Sequence, residues 1–279
     1  MKVRRQIEEK QREWAVKREF ALTGGKEEAP QARVAQLDDN LCTPLTEKIR
    51  DQFLRGAGGE LTFPDGASGH LYSLASSQAL CVNVLAPFLD KPGALLGALG
   101  LDAEPKPDYV WEFDARLRFS PKRTETAPVD LLFKPRHEAP GSISVAIEAK
   151  FAEAYDGRPR RPLGYYYRTR KDLIAGWTHL ARLVRDAEEQ RFRYFDLSQA
   201  VRQLMALRQT FGRTRFVLGY FWYRAPGRDG EQFAAELDEF RLLARQDGIA
   251  FVPCSWQELA PGLGGEAEWR RYLKERYGL

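Results

Sequence analysis

The chain has 279 residues, with 43 Lys and Arg against 39 Asp and Glu, so its net charge is +4. That length allows one large domain or two small ones, with a core that needs no disulfide or metal staple. Hydrophobic residues at 43% exclude a disordered chain, and the charge excess is too small to mark a nucleic-acid binder by itself.

Cys42, Cys81 and Cys254 are far apart and odd in number, which excludes a disulfide framework and a CxxC zinc site. His70, His137 and His179 are equally scattered. The N-terminus, MKVRRQIEEKQREW, has no apolar core of the kind a secretory signal carries. The longest stretch without Asp, Glu, Lys or Arg runs from Gly66 to Leu89 and is too polar to span a membrane. A soluble, cytoplasmic protein is expected. Arg outnumbers Lys 31 to 12. Planar guanidinium forks suit phosphate, but the base composition of a genome produces the same bias.

In chain order, residues 1–20 read as a solvated helix with Ile7, Trp14, Val16 and Phe20 as its apolar contacts. Residues 23–40 read as a linker, and 44–55 as a short helix ended by Gly56-Ala57-Gly58-Gly59. Residues 71–89 carry a helical apolar face through Leu74, Leu80, Val84 and Leu85. From 109 the period changes to two. YVWEFDARLRF alternates apolar and largely charged positions, and PVDLLF (128–133) and SISVAIEAKF (142–151) follow as two more strands. PRHEAPG (135–141) makes the last two a hairpin. Residues 157–171 read as irregular and basic. Helices are expected around 172–191, 196–210, 229–246 and 265–277, with strands at 215–223 and 248–253. The order helix, three strands, helix, strand, helix, strand predicts an α/β domain with a mixed sheet.

The strand at 142–151 places Glu148 and Lys150 side by side on a face that is otherwise small or apolar. Neither charge is cheap to bury without a partner. Asp130 takes the corresponding face of the preceding strand. With strands about 4.8 Å apart, a suitable register lets Asp130 and Glu148 approach one divalent ion. Glu-x-Lys also occurs at Glu8–Lys10 and Glu104–Lys106, so the bare pattern is weak. Its place in a hydrophobic strand beside an Asp-bearing strand sets the third occurrence apart. The competing reading is an ion pair at a strand end.

Pro128-Val129-Asp130 followed by Glu148-Ala149-Lys150 resembles the signature of the PD-(D/E)XK nuclease superfamily, over roughly residues 70–225. SSQALCVN (76–83) and the helix beginning DLSQ (196–199) resemble a bacterial subgroup of restriction endonucleases. The resemblance implies a restriction-endonuclease-like core, a central mixed sheet flanked by helices, with residues 1–60 as an N-terminal helical extension and linker and 61–279 as the nuclease-like domain. It implies Asp130 and Glu148 as Mg²⁺ ligands, with Mn²⁺ as a substitute and the Ala149 carbonyl as a third ligand. Lys150 would orient or help deprotonate the attacking water. Gln199 matches a helix Gln used near the site in some members, although Asp196 and Gln199 are also spaced as a helix cap. No acid lies between 71 and 89, where many members carry one. Gln78 and Asn83 fall on that helix instead, and Glu112 or Asp114 on the first strand could substitute.

RPRRPLGYYYRTRK (158–171) holds five Arg and one Lys without an acid, beside three Tyr. Arg158, Arg160, Arg161, Arg168, Arg170 and Lys171 offer phosphate contacts, and Tyr166 offers stacking to an unpaired base. The alternative is an ordinary basic surface loop. Three functions stay open: a metal-dependent nuclease acting on DNA in restriction or defence, a non-catalytic nucleic-acid-binding module on the same fold, and an unrelated α/β enzyme. The residues alone do not separate DNA from RNA. No GxSxG, P-loop or GxGxxG motif is present. A homodimer would suit double-strand cleavage.

Overall fold

The computed structural model describes residues 2–24, 32–56, 59–63, 65–101, 108–119, 125–137, 141–157, 163–169, 174–185 and 191–279. The chain divides into two compact units. The first comprises Met1–Lys106, Ala149–Asp156 and Cys254–Leu279, and the second Pro107–Glu148 and Gly157–Pro253.

In the first unit, α1 (Lys2–Lys17) buries Ile7, Gln11, Trp14 and Ala15. These positions recur at helical spacing and form one face. Val16 falls off that face and is 55% exposed, so it is not the apolar contact expected from sequence. Regular structure forms within the expected linker. β1 (Leu22–Thr23) pairs antiparallel with β2 (Arg33–Val34), and a 3-10 turn follows at Leu37–Asn40. Val34 gives the physical reason: it is fully buried in a cluster with Trp14, Ala15 and Leu74.

α2 (Glu47–Arg55) starts at Thr46, whose hydroxyl accepts from Ile49 N. α3 (Ser77–Leu85) starts at Ser76 in the same way and is buried along nearly its whole length. α4 (Gly93–Ala98) completes the segment.

The alternating sequence from 109 becomes three antiparallel strands, β3 (Tyr109–Arg118), β4 (Thr126–Pro135) and β5 (Ser144–Lys150). The 165–169 segment, expected to be irregular, forms α5 (Tyr165–Thr169). It is followed by α6 (His179–Arg185) and α7 (Leu197–Phe211). β6 (Phe216–Trp222), α8 (Arg228–Gln246) and β7 (Ala250–Ser255) come next. The chain closes with α9 (Trp256–Gly262) and α10 (Ala267–Tyr277).

The mixed five-stranded sheet has the order β3-β4-β5-β6-β7. β5 and β6 lie inside it and are buried on both faces, whereas the edge strand β3 alternates toward its end. α7 packs against β3, β4 and β6. Phe195, Tyr220, Phe240 and Phe251 form the aromatic core of the second unit, with Phe195 and Phe240 centroids 4.6 Å apart. The expected α/β class, flanked sheet and N-terminal helix are all present. Among the described residues no helix is long and apolar enough to cross a membrane.

Candidate active site

β4 and β5 pair through Leu131 with Ile147, Leu132 with Ala146 and Phe133 with Val145. One step further, just past the last paired position, the same register sets Asp130 opposite Glu148. On the other side, Phe113 pairs with Leu131 and Ala115 with Val129, which sets Asp114 opposite Asp130. Asp114, Asp130 and Glu148 therefore occupy one row across three strands. Like charges in such a row are unfavourable on an ordinary sheet.

Glu148 is 3% exposed. A carboxylate so buried costs several kcal/mol unless its oxygens find donors. Two glutamines on α7 supply them. Gln199 Nε2 donates to Glu148 Oε1 at 2.7 Å, and Gln203 Nε2 donates to Glu148 Oε2. The Gln203 amide also donates to the Pro128 carbonyl at 2.8 Å, so one side chain ties β4 to β5 at the row. Its Oε1 is buried and has no hydrogen-bond partner among the described residues.

Gln199 makes two contacts of different kinds. Its backbone N–H donates to Asp196 Oδ1 at 2.8 Å, the cap of α7, while its side chain turns away to Glu148. Capping fixes where the helix starts. The glutamines at 199 and 203 then lie one turn apart on the same face.

Asp130 is half-buried. Asp114 is buried, with φ +48 in the left-handed region that non-glycine residues avoid. Glu112 is about half-exposed and pairs with Lys134 across the strands at 3.5 Å. Its charge is thus engaged on the solvated face. Gln78 is buried in the first turn of α3.

Lys150 closes β5 half-buried, and its carbonyl accepts from Trp256 Nε1 at 3.1 Å. Glu153 lies just beyond. Its carboxylate accepts from Phe151 N at 3.2 and 3.3 Å. Burial pushes the Glu153 carboxyl above the usual carboxylate range, against the opposing pull of the Lys150 ammonium and a hydrogen bond with Ser77. Gln203 and Glu153 were not singled out from sequence. The signal for Gln203 was present, an amide at i+4 from Gln199 in a helix whose buried positions are mostly apolar.

Among the described residues no three His, Cys, Asp or Glu side chains converge as a metal cage. A metal at the row would therefore take carboxylates in a pair, with main-chain oxygen and water completing it. Hard oxygen donors of this kind fit Mg²⁺, which usually keeps several waters.

In the basic segment, Arg168 Nε donates to the Leu163 carbonyl at 2.6 Å. Tyr167 packs on Phe119 with ring centroids 5.0 Å apart. Arg158, Arg160, Arg161, Arg170 and Lys171 lie outside the described residues, as does the Tyr166 side chain. Asn83 on α3 is structural: it accepts from Cys42 N at 2.6 Å and donates to the Asn40 carbonyl and the Tyr277 hydroxyl.

No curated protein and no solved structure matches the chain. Residues 9–278 match the family described as REase-ARP, restriction endonuclease associating with ARP, and the chain belongs to that family.

Proposed function

We propose that the protein is a divalent-metal-dependent nuclease that hydrolyses DNA phosphodiester bonds, in a restriction or defence role. The observation that carries this reading is the register row. It aligns Asp130 with Glu148, and Glu148 is held on both oxygens by neutral amides that orient it without neutralising it.

In this reading Asp130 and Glu148 hold Mg²⁺, with the Ala149 carbonyl as a further oxygen ligand. The bound ion supplies a water of lowered pKa and a polarised phosphoryl oxygen. Lys150, two residues along the same strand, orients the attacking water and offsets the negative charge that builds on phosphorus. The water oxygen bonds to phosphorus as the bond to the leaving sugar oxygen breaks in line, and that oxygen takes up a proton. Gln199 and Gln203 act through Glu148 and are positioning residues. The family description favours DNA as substrate and carries ARP as an associated partner.

The test is cleavage of supercoiled, linear and single-stranded DNA with Mg²⁺ or Mn²⁺. Wild type is compared with Asp130→Ala and Lys150→Ala after circular dichroism has confirmed folding. Expected is metal-dependent cutting that falls at least ~100-fold in both variants, the range for loss of a positioned catalytic group. Cutting that survives both substitutions would place the chemistry elsewhere. A wild type that binds DNA in chelator but never cuts would replace this reading with a non-catalytic binding module.

A further inference from the structure

We propose that the outer edge of β3 and the start of α5 form a track for an unpaired DNA strand, with phosphates on Arg116 and Arg118 and a base on Tyr165. The proposal rests on the nuclease reading and names the form of its substrate.

β3 is an edge strand, so nothing in the sheet covers its outer side. Arg116 pairs in register with Pro128 and Arg118 with Thr126. These rows are the next two on the face that carries Asp114 and Asp130. Each step of two residues advances about 6.6 Å, so a cation stands at regular intervals leading away from the carboxylate row. Both arginines are exposed, and neither has an ion-pair or hydrogen-bond partner among the described residues. Arg136 and Arg241, by contrast, are engaged, the first with Asp108 at 2.5 Å and the second with Asp238 at 3.1 Å; what sets Arg116 and Arg118 apart from the remaining exposed arginines is their alignment with the carboxylate row. Unengaged guanidinium groups in a line suit successive phosphates of one strand.

The track continues beyond Arg118. Phe119 follows it and holds the Tyr167 ring, which anchors α5 at this end of β3. That contact occupies Tyr167. Tyr165, on the same short helix, is 82% exposed, the most exposed large hydrophobic among the described residues. A ring so presented gains from a base whose face is free, as in an unpaired strand; within a duplex those faces are already stacked. Charge on an edge strand can also serve only to prevent edge-to-edge pairing. That role needs neither the alignment with the carboxylate row nor the aromatic.

The experiment is fluorescence anisotropy of a labelled single-stranded oligonucleotide and of its duplex, with the full chain in EDTA so that nothing is cut. Variants are Arg116→Ala/Arg118→Ala, Tyr165→Ala, Tyr165→Phe and, as a charge control, Arg241→Ala, each checked by thermal melting. The double arginine variant is expected to weaken single-strand binding at least ~10-fold and to lower the slope of log affinity against log salt by about 1.4. Tyr165→Ala is expected to lose roughly 5- to 100-fold on the single strand and little on the duplex, with Tyr165→Phe close to wild type.

A double variant that behaves like Arg241→Ala, or one that only aggregates, overturns the track in favour of edge protection. Equal losses for Tyr165→Ala on both DNAs overturn the base contact. If the variants bind normally while wild type cuts DNA, the track falls and the nuclease reading stands. The expected losses in a protein that never cuts would leave the track standing without it. A wild type that binds no DNA overturns the track.

Discussion

Gln199 holds Glu148 Oε1 at 2.7 Å although 51 residues separate them in sequence. The contact depends on α7 beginning where Asp196 caps it, because a shift of one residue would turn the amide by about 100° around the helix. Gln203, one turn on, adds the second bond and the tie to Pro128. The two glutamines should separate by assay. Gln203→Ala removes a donor from a buried carboxylate and from the Pro128 carbonyl, and should cost about 2 kcal/mol of stability. Gln199→Ala should lower metal-dependent cutting at least ~10-fold with a smaller change in melting temperature. Plasmid nicking at matched folded fraction reads both. Wild-type cutting by Gln199→Ala would remove it from the positioning machinery.

Asp114 stands opposite Asp130 with a left-handed backbone. Asn tolerates this conformation better than most residues, so Asp114→Asn should stay within about 0.5 kcal/mol of wild type. Asp114→Ala keeps the strain without the polar side chain and should lose about 1–2 kcal/mol. If the charge at 114 assists the row, Asp114→Asn should also raise the Mg²⁺ concentration needed for half-maximal cutting. Urea unfolding checks the first pair of statements, and an Ala variant as stable as Asn would show that the backbone is not strained.

Arg276 is the buried brace of the first unit. It is 3% exposed, donates to the Asn40 carbonyl at 2.6 Å and to Gln11 Oε1 at 3.1 Å, and lies over the Trp14 and Tyr277 rings at 4.5 and 4.6 Å. Its loss removes the guanidinium donor from buried Gln11 Oε1 and Asn40 Oδ1. Arg276→Ala should therefore cost at least ~3 kcal/mol. Lys cannot reproduce the planar fork, so Arg276→Lys should remain well below wild type in denaturant midpoint. Full stability with Lys would refute the fork argument.

Glu153 makes stability depend on pH. Its folded pKa lies above the unfolded value because burial disfavours the charge. The stability linked to its neutral form is present below the unfolded pKa of about 4.3 and is lost as pH rises through the folded pKa. Glu153→Gln carries no such charge. Its melting temperature relative to wild type should therefore climb as pH is raised from about 4 toward neutrality. A difference that stays flat across that window would remove burial of Glu153 as the cause.

Much of the fold was legible in order along the chain. Period-two alternation from Tyr109 to Phe119 marked a strand with one apolar and one largely charged face, and SISVAIEAKF marked the strand that carries Glu148. Family membership bears out the resemblance to restriction endonucleases. Short helices were missed for identifiable reasons. α5 lies in a basic, Pro-flanked stretch. α9 contains Pro261, although its Ser255–Glu258 capping box was visible.

By itself the sequence determined the types of the longer elements, the α/β class and the two strands that carry Asp130 and Glu148, because hydrophobic periodicity and cap chemistry act over a few residues. Tertiary structure decided what those residues meet. It set the register that aligns Asp114, Asp130 and Glu148 and brought Gln203 onto both motif strands. It also started α6 with a distant carboxylate, where Asp247 accepts from Thr178, His179 and Leu180 N at 2.7, 3.1 and 2.8 Å. Partners tens of residues apart leave no local period, and only the packing that buries a polar group selects the donor or acceptor that satisfies it.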